Sequence, residues 1–91
     1  MLIIEKVAAY IESFKKNNQP LPYSIIKLDL DLKVKNMSIK DFNGPIPDKF
    51  AAPILEEHIK KAQRKVDTTI DSSMRNTYAA ELNILKSFRN Q

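Results

Sequence analysis

The stretch Ser24–Asn36, SIIKLDLDLKVKN, decides how this chain is read. From Ile26 to Val34 every second residue is apolar, and every residue between them is charged. A period of two puts Ile26, Leu28, Leu30, Leu32 and Val34 on one side of an extended chain. Lys27, Asp29, Asp31, Lys33 and Lys35 take the other. Read this way, Ser24–Lys35 is a β-strand roughly 40 Å long at about 3.3 Å per residue, dry on one face and ionic on the other.

A strand needs neighbours. The nearby candidate is Met37–Phe42, which folds back through a tight turn at Lys35-Asn36, where asparagine tolerates positive φ. Asn43-Gly44-Pro45 then forms a further turn. The return strand covers only part of the long one and leaves an apolar-faced edge bare. The expectation is a hairpin completed between subunits of a homo-oligomer, with Ile26, Leu28, Leu30, Leu32 and Val34 at the interface.

The flanking segments read as helices. Ile3, Ile4, Val7, Ala8, Ile11 and Phe14 recur at three- and four-residue steps, with Tyr10 at the margin. The pattern stops at Lys16-Asn17-Asn18, and Gln19-Pro20-Leu21-Pro22 imposes extended backbone. Further on, Asp48 is a candidate N-cap, and Pro53 suits only the first turn of the helix that follows. Leu55, Ile59, Ala62, Val66 and Ile70 share one face, while Glu56 and Glu57 each precede a lysine by four residues. Asp67–Ser73 is rich in β-branched and cap-prone residues, which predicts a break or a new N-cap at Asp71–Ser73. One continuous helix is the alternative, because Ile70 and Met74 keep the stripe in phase. The last helix, Met74–Phe88, buries Met74, Tyr78, Leu82, Leu85 and Phe88 on this reading. The expected fold class is α+β in a single domain spanning residues 1–91. Its order is an N-terminal helix, a long strand with a short return strand, and two C-terminal helices.

With 91 residues the chain buries only roughly 60–65% of its unfolded surface, so stability leans on some added device. The chain has no cysteine, which closes the disulfide and thiolate-metal routes and leaves association. Fifteen basic and 11 acidic residues give a net charge of +4. The surplus sits mainly after Asp48, where eight basic residues face five acidic ones. No apolar run approaches the roughly 18–20 residues of a membrane span. Glu5 and Glu12 interrupt the first segment, which does not look like a signal peptide, and the expected setting is cytoplasmic.

Little in the chain points to catalysis. His58 is the sole histidine, and its helical neighbours Ile54, Leu55, Lys61 and Ala62 include no second metal ligand. Any Ser-His-acid triad would have to use it. Asp31-Leu32-Lys33 has the D-x-K spacing of metal nucleases, in which carboxylates hold Mg²⁺ and the lysine sits by the attacking water. A charged strand face produces the same triplet with no chemistry attached. Gly44 stands alone, so no glycine-rich phosphate loop exists. The expectation is a protein that is not an enzyme and carries no metal or cofactor.

Two features point to partners instead. Glu81 falls inside the apolar stripe of the last helix. Either that face is partly wet, or Glu81 meets Arg, Lys or Tyr from another helix or subunit and fixes register. Lys60, Lys61, Arg64 and Arg75 are candidate phosphate contacts, with Glu56 and Glu57 interleaved and no aromatic residue on that face. The strand-helix-helix order is superficially similar to ribbon-helix-helix dimers. Against it stand the long connection Asn36–Asp48 and the placing of Asp29 and Asp31 toward phosphates. The expected function is a non-enzymatic assembly or adaptor module that binds itself or a larger protein. A nucleic-acid-binding accessory protein is the alternative.

Overall fold

The computed structural model describes residues 1–39 and 44–89. Among them there is no strand. Four helices follow one another: α1 (Ile3–Lys16), α2 (Tyr23–Ser38), α3 (Asp48–Thr68) and α4 (Ser72–Ser87). The α+β expectation is therefore overturned. The expected strand Ser24–Lys35 lies wholly inside α2, and so do the first two residues of the expected return strand, Met37 and Ser38. Residues 40–42 of that return strand, and Asn43 of the following turn, lie outside the described residues.

The reason is visible in the same thirteen residues. Ile25, Leu28 and Leu32 stand at steps of three and four, and in α2 all three are completely buried. The alternating set hid this stripe, because Leu28 and Leu32 belong to both patterns while Ile25 belongs only to the helical one. Asp29 and Lys33 then become an i,i+4 pair, with Lys33 Nζ 2.9 Å from Asp29 Oδ2. A helix also satisfies its backbone within itself, so a segment short of sister strands needs none.

The other three helices lie where their spacing puts them. α1 buries Ile3 and Val7. Its N-terminus is fastened by Glu5 Oε1, which accepts from the Leu2 N–H at 2.8 Å, and by Asp48 Oδ1, which accepts from the Ile3 N–H at 2.8 Å. Its C-terminus closes with Asn18 at φ 54°. There the Asn18 N–H bonds to the Lys15 carbonyl and the Gln19 N–H to the Phe14 carbonyl, and Pro20 and Pro22 prevent continuation. Asp48 is the first residue of α3 rather than its cap, which is Pro47. Pro53 sits one turn deeper than expected, on the exposed side of α3, where its missing N–H costs least.

The break between the C-terminal helices falls as expected. α3 ends at Thr68, and Asp71 caps α4 by accepting from the Met74 N–H at 3.0 Å. Ile70 is left out in solvent between them and Met74 is exposed, so the apolar stripe does not run through the joint. α3 is the central helix: α4 packs along it, and α1 and α2 pack against it and each other. Leu55, Ile59, Leu82, Leu85 and Phe88 meet the buried residues of α1 and α2 in one core. Tyr10 closes its edge, with its ring 4.8 Å from that of Phe14 and edge-on to Phe88 at 5.7 Å.

Candidate functional site

Coiling Ser24–Asn36 into a helix splits the five expected interface residues. Leu28 and Leu32 point inward and are core. Ile26, Leu30 and Val34 point outward, at steps of four residues, and Tyr23 and Met37 extend them by three residues at either end. Four of the five are well exposed: Tyr23 65%, Leu30 55%, Val34 64% and Met37 80%. At about 100° per residue these side chains form a single ridge along the side of α2 opposite the core. Charged residues rim it, with Lys27 and Asp31 on one flank and Asp29 and Lys33 on the other. α2 is thus apolar on two faces, and the described residues cover only one of them.

Beside the first flank, α2, α3 and α4 enclose a cleft of about 340 Å³. His58 forms part of its wall, buried to 8% exposure, with Nε2 2.6 Å from Asp31 Oδ2. The carboxylate accepts, so Nε2 carries the proton and donates. Lys27, Lys61 and Lys65 also line this cleft, with Tyr23, Ser24, Tyr78 and Glu81. The Lys27 ammonium lies 5.4 Å from the Tyr23 ring centre and that of Lys65 5.5 Å from the Tyr78 ring centre.

This arrangement assigns the candidate residues. The D-x-K triplet cannot converge on a metal, because residues two apart on a helix diverge. Asp31 goes to His58 and Lys33 to Asp29. No group of three or more His, Cys, Asp or Glu among the described residues is placed to hold a metal ion. Ser24 Oγ is inaccessible and makes no hydrogen bond among the described residues, so it is not coupled to His58 as a nucleophile to its base. The His58–Asp31 pair acts as a latch between α2 and α3.

Glu81 is half-buried in the cleft wall beside Lys61, Lys65 and Tyr78, and it forms no ion pair among the described residues. The expected basic cluster is divided. Lys61 faces the cleft, whereas Lys60 and Arg64 lie on the exposed outer side of α3. Arg75 closes the α3–α4 corner, its Nε donating to the Thr69 carbonyl at 3.0 Å and its Nη2 to the Ile70 carbonyl at 3.2 Å.

Sequence reasoning missed the outer ridge of α2 as a helical feature, although Tyr23, Ile26, Leu30, Val34 and Met37 carry the signal at steps of three and four. The His58–Asp31 contact had no local signal, since its partners are 27 residues apart on different helices. Among the described residues no helix is long and apolar enough to cross a membrane. No family model matches this chain, and neither a curated protein nor a solved structure shows significant similarity to it.

Proposed function

We propose that this chain is a non-enzymatic helical assembly module that associates with copies of itself through the outer face of α2. One observation carries the reading: a continuous apolar ridge on a helix whose opposite face already fills the core. Single exposed apolar residues are ordinary, but an ordered row of them marks an interaction surface. A chain this small, without cysteine, gains stability by covering such a ridge. The lack of cysteine also suits a reducing setting such as the cytoplasm.

The backbone-paired hairpin between subunits plays no part in this proposal. Side-chain packing of helix against helix replaces it. The experiment is sedimentation of the purified chain beside Leu30→Asp and Val34→Asp. The expected result is an oligomer for the parent chain and a folded monomer for each variant. A parent chain that sediments as a monomer at every concentration overturns self-association, and a larger protein partner then becomes the occupant to seek.

A second reading has its own support in the gathering of Lys27, Lys61 and Lys65 around one cleft, with Lys60 and Arg64 on the neighbouring surface of α3. Such a patch suits phosphate contact by a nucleic-acid-binding accessory protein. Charge reversal at Lys60, Lys61 and Arg64 then abolishes retention on DNA or RNA at low salt and leaves the oligomer intact. Retention that survives the triple reversal rejects this reading.

A further inference from the structure

The outer ridge of α2 is symmetric about its middle residue. Measured from Leu30, Ile26 lies four residues back and Val34 four ahead, and Tyr23 lies seven back and Met37 seven ahead. At about 1.5 Å per residue the inner pair sits about 6 Å from Leu30 along the axis and the outer pair about 10.5 Å. All five are apolar, and the mirrored spacing lets a second such helix running the opposite way match them layer by layer. Resting on the self-association proposed above, we infer that two copies pack α2 against α2 antiparallel, with the two-fold axis passing beside Leu30.

In that arrangement Leu30 meets Leu30 of the second copy, Ile26 meets its Val34, and Tyr23 meets its Met37. Large and rigid Tyr23 thus faces flexible, unbranched Met37 instead of another tyrosine. The charges fit the same axis. An antiparallel two-fold brings like flanks together, so Lys27 lies about 3 Å along the axis from Asp31 of the second copy, and Asp29 similarly close to its Lys33. Each rim then runs Lys, Asp, Asp, Lys along the axis: every lysine neighbours an aspartate of the second copy, the two equivalent aspartates meet at the two-fold, and this mixed-sign border suits itself better than it does a uniformly acidic or basic partner. Antiparallel packing also sets the two helix dipoles head to tail. The stems of Lys27 and Lys33 widen the apolar strip that the five residues form.

The absence of cysteine makes a clean test, because any introduced thiol is the only one in the chain. Helix axes about 8–10 Å apart bring facing positions within disulfide reach. Three variants of the full chain, Ile26→Cys, Leu30→Cys and Val34→Cys, are oxidised alone and as an equal mixture of Ile26→Cys with Val34→Cys. Non-reducing gels report the linked species, and sedimentation of the parent chain runs alongside. The expected result is strong self-linking of Leu30→Cys. The mixed Ile26–Val34 species should exceed either self-linked product at least tenfold. Preferential self-linking of Ile26→Cys and of Val34→Cys means parallel packing and overturns the inference while leaving self-association standing. An oligomeric parent whose variants do not link means another surface joins the copies, which also overturns it. A monomeric parent removes the underlying reading itself. All three positions are exposed, and helical circular dichroism of each variant matches the parent when the fold is intact.

Discussion

His58 Nε2 lies 2.6 Å from Asp31 Oδ2, across the seam between α3 and α2, with the imidazole buried and the carboxylate half open to water. Each residue looks like a candidate for chemistry in the sequence, and each is the other's partner in the fold. The contact ties the helix with the outer ridge to the central helix of the bundle, so the ridge is presented on a fixed element.

Cutting that contact has a defined cost. Asp31→Ala leaves a buried imidazole N–H with only water from the open side to replace its acceptor, and should destabilise by about 1–2 kcal/mol. Asp31→Asn keeps an acceptor oxygen and should lose less than half of that. Urea unfolding of the two variants beside the parent checks the order, and equal midpoints for all three would rule out the latch.

Leu28 and Leu30 are two residues apart and should behave as different kinds of residue. Leu28 is fully buried, so Leu28→Ala should cost about 2–5 kcal/mol, and Leu28→Asp should prevent folding. Leu30 faces outward, so Leu30→Asp should leave the monomer within about 0.5 kcal/mol of its stability and remove association. Circular dichroism melts paired with sedimentation separate the two. A strand with all five alternating residues on one face predicts the same result for both positions, which is the outcome that would restore it.

The corner between α3 and α4 depends on Asp71. Replacing it by alanine removes the acceptor for the Met74 N–H and should lower stability by about 1 kcal/mol, whereas Asp71→Asn should cost a few tenths. Thermal melts decide the matter. An Asp71→Ala melt indistinguishable from the parent would mean that Arg75, bonded to the Thr69 and Ile70 carbonyls, holds the corner alone.

Alkaline pH should weaken the bundle through Tyr10. Burial raises the pKa of its phenol above 10.0, because the charged form loses hydration between Phe14 and Phe88. The folded chain then holds this proton more tightly than the unfolded chain does. The contribution is fully present below the unfolded value and disappears as pH climbs through the folded one. The informative comparison is with Tyr10→Phe, whose stability should fall less steeply above pH 10. Parallel curves for the two proteins would contradict this assignment.

Much of the molecule could be read along the chain. In α1, Ile3 and Val7 recur at helical spacing with no competing pattern, and Asn17-Asn18 ahead of two prolines marks the stop. Asp71 declares the start of α4 because a carboxylate one residue ahead of a helix reaches backbone N–H groups that nothing else satisfies. These signals are local: side-chain spacing, caps and proline act within a few residues, so three of the four helices were legible. The division of Lys60, Lys61 and Arg64 between two sides of α3 was less so, because it depends on where α2 and α4 lie.

The segment Ser24–Asn36 is where local information was insufficient. Its apolar residues at 25, 26, 28, 30, 32 and 34 satisfy a period of two and a period of 3.6 together, and leucine and lysine suit a helix as well as the alternation suits a strand. By itself the sequence determined that this segment has apolar surface to spare and that the chain has little else to pair with a strand. The tertiary structure decided which residues are inside: α1 and α3 supply an apolar groove that takes Ile25, Leu28 and Leu32, and a helix entering it needs no outside backbone partner. The leftover apolar residues then form a ridge on the opposite side, because a helix can cover one face and must leave the other to solvent or to a second molecule.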